Sequence, residues 1–125
     1  MVDAVVNIHD LAVSIQGSHG FPHPAYLESA LFAPQQTFHY SDGGVDLFDL
    51  AAVYLYHIAK AHAFTDANKR TAYGSTLVFL GVNNTLLMLP PNVIALAEAT
   101  VELAKDKLGK PDVAALMRAM PKGSV

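Results

Sequence analysis

Residues 62–70 read HAFTDANKR, and the chain continues at once into TAYGSTLVFLGV at 71–82. A histidine, an aspartate, an asparagine, a lysine and an arginine thus share nine residues of a chain that is 52% hydrophobic and only 15% charged. Such a cluster is costly unless it is solvated or put to use. The apolar run behind it predicts a helix from about Asn68 to about Asn83, apolar on nearly all sides after its first turn. The stretch before it predicts another, from about Asp46 to His62. At about 100° per residue, Asp49, His57 and Lys60 all lie within about 60° of Asp46. One narrow wet stripe leaves the remaining faces to be buried, so this is read as a central helix. His62 falls about 160° from Asp46 on the same wheel and points towards the interior or a cleft.

The flanking sequence is also helical in pattern. Val5, Ile8, Leu11, Ala12 and Ile15 keep the spacing of an amphipathic helix, which Gly17 stops. SHGFPHP is read as a loop, after which Pro24 opens a short helix, AYLESALF, that Pro34 closes. In QQTFHYSDGG, the β-formers Thr37, Phe38 and Tyr40 precede a turn-forming Asp-Gly-Gly. This predicts an exposed extended flap, with an ordinary surface loop as the alternative. Asn92 can cap a fifth helix, VIALAEATVELAKDKL, ended at Gly109. PDVAALMRAM forms a sixth, with Pro111 or Asp112 at its start. The expectation is an all-α fold, a compact six-helix bundle with a short extended flap, as a single domain over residues 1–125.

Composition narrows the function. At 125 residues the chain can bury one proper core. Its formal net charge of −3 argues against a broad nucleic-acid face. The absence of cysteine removes disulfides, thiolate metal sites and cysteine nucleophiles together. The N-terminus shows no signal-peptide pattern, and Asp46, Asp49, His57 and Lys60 interrupt the longest apolar stretch. The expected setting is cytoplasmic, with no membrane partner. His19 and His23 lie in a Pro- and Gly-bearing loop, and no structural zinc site is expected.

The opening stretch joins two helices through the short link AFTDA and starts the second with NKR. A helix start offers unpaired N–H groups and the positive end of the dipole, a ready anion site. Asn68, Lys69 and Arg70 add side-chain donors around that end. Asp66, just before them, would repel bare phosphate but suits an anion that arrives with Mg²⁺, a hard cation favouring carboxylate and phosphate oxygens. His62 is the one base of the cluster that titrates near neutral pH. Phe64 is read as an apolar peg holding the link to the core. Taken singly, each residue is better explained by a plain helix–loop–helix corner, with Asp66 as an N-cap, Lys69 and Arg70 solvated and His62 a hydrogen-bonded core residue. Together they supply the parts for phosphoryl or nucleotidyl transfer.

HAFTDANKR resembles the H-x-F-x-[D/E]-[A/G]-N-[K/G]-R core of the Fic/Doc family, in particular its death-on-curing toxin branch. NIHDLAV, YLESALFAPQQTF and KRTAYGSTLVFLGVN follow in the order of that branch, over roughly residues 5–120. The resemblance implies His62 as general base, Phe64 as loop anchor and Asp66 as catalytic Mg²⁺ ligand. It implies Asn68, Lys69 and Arg70 as binders of the phosphates of ATP, with Arg70 also catalytic. Gln36, Thr37, Phe38, His39 and Tyr40 would form the flap, holding an extended target segment by strand addition. AMP-transferring members usually carry Gly where Ala67 and Lys69 stand here. The lysine therefore implies Doc-type transfer of the ATP γ-phosphoryl to a threonine of a translation factor of the Tu type. AMP transfer, or a binding module without turnover, are the alternatives. The inhibitory [S/T]-x-x-x-E-[G/N] helix of self-restrained members is missing: Pro24, Ile94 and Glu98 stand four residues before the three glutamates. Restraint would then come from a Phd-like antitoxin with a disordered C-terminal segment, for which helix one and SHGFPHP are the expected groove walls.

Overall fold

Among the described residues the helices run, in chain order, α1 (residues 5–10), α2 (Pro24–Tyr40), α3 (Leu47–Ala61), α4 (Asn68–Val82), α5 (Pro91–Ala104) and α6 (Lys110–Ala119). The computed structural model describes residues 5–10, 20–40, 44–61, 68–85, 91–120 and 122. Among them no strand extends beyond the single bridging residue Lys122, and the fold is all-α as expected. Helix α3 packs against α2, α4, α5 and α6, while α5 also packs against α4 and α6. Ala51, Ala52, Val53, Tyr54, Leu55, Ile58 and Ala59 bury nearly its whole circumference, which makes it the central helix. Its alanines let the neighbours approach, and Leu27, Leu80, Leu96, Leu103 and Met117 close the core from the other helices. Each such large side chain contributes about 1.5–3 kcal/mol of apolar burial.

Helix starts follow the carboxylates. Asp46 accepts from the Asp49 N–H (2.9 Å) while Asp49 accepts from the Asp46 N–H (3.0 Å), a reciprocal capping box that opens α3. At α6 the Asp112 carboxylate accepts from the Gly109 N–H at 2.8 Å, with Pro111 in the first turn where its missing donor costs nothing.

Helix α5 ends earlier than Gly109. Asp106 takes a left-handed conformation (φ 59°), and the Lys107 and Asp106 N–H groups return to the Glu102 and Leu103 carbonyls at 2.9 and 3.1 Å. Asn84 (φ 63°) closes α4 in the same way, with Thr85 and Asn84 donating to Leu80 and Gly81. These are Schellman closures built on Asn and Asp, which visit this region more readily than other non-glycine residues. Among the described glycines, packing constrains Gly74 most, where an added Cβ would lie 2.9 Å from Ile8 Cγ2 as α1 meets α4.

The second correction is larger. Pro34 does not end its helix, and α2 runs on to Tyr40. Gln36, Thr37, Phe38, His39 and Tyr40 are therefore helical, not an extended flap. Leu27, Ala30, Leu31 and Pro34 form one buried stripe through the proline. Its burial offsets the roughly 3 kcal/mol that an interior proline costs. The Thr37 hydroxyl donates to the Ala33 carbonyl at 3.0 Å, spending locally the group that marked this stretch as strand-like.

Candidate active site

Helices α3 and α4 pack side by side, with Tyr54 from the middle of α3 against Phe79 in the second half of α4 (ring centroids 4.6 Å apart). That pairing is the pairing of an antiparallel helical hairpin, whose connection is residues 62–67. His62, Phe64 and Asp66 lie outside the described residues. Asn68, Lys69 and Arg70 are the first three residues of α4, whose start has N–H groups without helical partners. Lys69 is exposed, Asn68 and Arg70 are half-buried, and no acidic residue stands in this first turn. The donor set suits an anion.

Two residues of the same helix escaped the sequence reading. Among the described residues, the hydroxyls of Thr71 and Ser75, one turn apart, are buried and find no hydrogen-bond partner. By contrast Thr76 and Thr100, equally buried, donate to the carbonyls four residues back at 2.9 and 2.7 Å. The available signal was a Ser/Thr pair at i and i+4 inside an apolar helix, with no cap to explain it. Each unpaired buried hydroxyl costs about 1–3 kcal/mol, so the pair asks for a reason.

The polar stripe of α3 turns out to be a seam. Arg118 of α6 reaches both oxygens of Asp46 (2.8 and 3.0 Å) and one of Asp49 (3.2 Å). Its guanidinium, chiefly by hydrogen bonding, holds the Asp46 carboxyl down to about 2. At the other end Lys60 donates to Asp106 at 2.6 Å, which raises the lysine above its ordinary range. Lys60 and Lys110 flank the Tyr56 ring at 5.4 and 4.9 Å. Burial, with help from the Lys110 charge, lowers the half-buried His57 below the ordinary histidine value. His9, which the sequence left between core and partner roles, is fully buried, with Nδ1 3.4 Å from the Asp10 carboxylate.

Gln36 and Phe38, assigned to the flap by resemblance, line a cavity of about 520 Å³ together with Phe32, Leu50, Tyr54 and Phe79. The side chains of His39 and Tyr40 lie outside the described ones. Thr37 is not among the lining residues, its hydroxyl being turned to the Ala33 carbonyl. Of the antitoxin groove expected along helix one and SHGFPHP, residues 11–19 lie outside the described residues, and Val5 within it belongs to the core. No described helix is long and apolar enough to cross a membrane. No three described His, Cys, Asp or Glu residues converge as a metal site.

The described residues form an all-helical fold, as the sequence pattern predicted. A model of the Fic/DOC family matches residues 2–80. The chain is 33% identical over 117 residues to the "Protein kinase doc" of Escherichia phage P1, covering 93% of this chain and 90% of that protein. It is 39% identical over 61 residues to the "Toxin Doc" of Mycolicibacterium smegmatis, covering 49% of this chain and 47% of that one. The chain belongs to the Fic/Doc family, and within it to the death-on-curing branch.

Proposed function

We propose that this chain is the toxin of a toxin–antitoxin pair. It acts as a protein kinase that moves the γ-phosphoryl of ATP to a threonine hydroxyl of a translation factor of the Tu type and so halts protein synthesis. The observation that carries this reading is the exposed Lys69 in the first turn of α4, where AMP-transferring relatives keep a glycine. A bulky cation there fills the room that a second phosphate would need and favours the γ-phosphoryl as the group presented.

In this mechanism His62 takes the proton of the target hydroxyl, whose oxygen forms the new bond to phosphorus while ADP carries off the old one. Asn68, Lys69, Arg70 and the N–H groups of the first turn hold the phosphates. Asp66 would hold Mg²⁺, which when bound would supply neutralisation of the charge that builds up in transfer. Phe64 seats the link on the core. Gln36 and Phe38 receive the target through the apolar cavity between α2, α3 and α4 rather than by adding a strand, since their backbone is already hydrogen-bonded as helix. A Phd-like antitoxin supplies the restraint that no glutamate of this chain provides in cis. Mass spectrometry of the purified factor after incubation with ATP tests the reading. A gain of about 80 Da marks phosphate, and a gain of about 329 Da marks AMP and overturns the kinase assignment.

A further inference from the structure

A second cavity, of about 260 Å³, lies between the start of α2 and the last turn of α3. Tyr26, Ser29 and Ala30 line it from α2, and His57, Lys60 and Ala61 from α3. Its polar lining is a phenol, a hydroxyl, an imidazole and an ammonium, and among the described residues no carboxylate lines it. All four can donate a hydrogen bond. Ala30 and Ala61 leave the room that larger side chains would fill. The volume falls below the roughly 300–1,000 Å³ of sites that take a drug-sized ligand, and suits one small group.

The local field has the matching sign. Asp106 takes up one of the three N–H donors of Lys60, at 2.6 Å, and stands outside the cavity as a largely exposed side chain. Lys110 adds a second cation beside Tyr56 and His57. We propose that this pocket is an oxyanion subsite, taking a single carboxylate or phosphate group through the Lys60 ammonium and the Tyr26 and Ser29 hydroxyls. His57 supplies a further N–H from a half-buried ring that T-stacks on Tyr56 (5.1 Å). Ala61 is the residue before His62, so an occupant sits one residue along the chain from the proposed base. The subsite does not depend on the kinase reading. Its two sources, an acidic protein side chain and a phosphate group, share this chemistry.

Amide NMR of the full chain, titrated separately with inorganic phosphate and with N-acetyl-aspartate N-methylamide, tests it without turnover. We expect saturable shifts at Ser29, His57 and Ala61 with at least one probe; the probe that binds identifies the source. Lys60→Gln, and separately Tyr26→Phe with Ser29→Ala, should weaken binding about tenfold, the usual effect of losing a charge-assisted hydrogen bond. Asp106→Asn removes the ion pair but keeps the ammonium, and should bind as tightly as the parent or tighter. Absence of shifts at these residues with both probes, or shifts confined to residues 68–70, overturns the subsite. Affinity untouched by Lys60→Gln, or lost equally in Asp106→Asn, does the same.

Discussion

Arg118 and Asp46, 72 residues apart in sequence, form a two-pronged ion pair in which Nε and Nη2 each donate to a separate carboxylate oxygen. The pair ties α6 to the N-cap of α3. Its pH dependence has a definite sign. Asp46 is lowered from 3.8 to about 2, so its contribution is complete above the unfolded value and is lost as pH falls through about 2. Both partners are about half exposed, so screening keeps the effect small. Arg118→Ala should lower stability slightly in urea unfolding at neutral pH, and the difference from the parent should shrink towards zero below the folded-state value. An undiminished difference in strong acid would mean the loss lies in the arginine's packing over Phe48, 5.9 Å away, and not in the pair.

Thr71→Val should stabilise the protein by about 1 kcal/mol, because it removes an unpaired buried hydroxyl at nearly constant shape. Ser75→Ala should act in the same direction. Chemical denaturation measures both. A fall in stability would show that the hydroxyls are paired in solution, through an ordered water for instance.

His62→Ala should lower target modification by about 10²- to 10⁴-fold, the usual contribution of a general base, with ATP binding nearly unchanged. It should also remove the toxicity of expressing the chain without an antitoxin. A toxic, fully active variant would remove the base assignment.

Asp66→Ala and Arg70→Ala should each weaken Mg²⁺–ATP binding in the absence of any target, since both are assigned to the nucleotide's phosphates. Calorimetry with Mg²⁺ present reads this directly. Unchanged affinity in both variants would displace the nucleotide from this helix start.

Phe38→Ser separates target binding from folding. Phe38 is 57% exposed, so the change should move stability by no more than about 0.5 kcal/mol. It should nonetheless raise KM for the protein target while leaving kcat and ATP affinity alone. Equal modification of the target at all concentrations would take the α2–α3–α4 cavity out of target recognition.

What could be read in the sequence, and what could not, divides by the range of the forces involved. Helix α3 was legible because its polar residues crowd onto one stripe, a local periodicity that fixes which faces are buried. The donors at the head of α4 were legible because Asn68, Lys69 and Arg70 are contiguous. The continuation of α2 through Pro34 was not, because local rules weigh the proline's missing N–H and cannot see the stripe of Leu27, Ala30, Leu31 and Pro34 against α3. The stop of α5 was misplaced for a related reason. Gly109 offered an obvious end, whereas Asp106 adopts its left-handed turn in a place where it also meets Lys60. The unpaired hydroxyls of Thr71 and Ser75 are known only once their surroundings are.

The two ion pairs at opposite ends of α3 bear on synthesis. Asp46 and Lys60 wait for Arg118 and Asp106, which leave the ribosome 72 and 46 residues later. Until Asp106 has emerged, the helix that leads into His62 is held at neither end by its final partners, and until Arg118 has, at one end only. Domains of this size complete their folding as units. The bundle is therefore completed from its C-terminal helices, after every residue of the candidate site has been made.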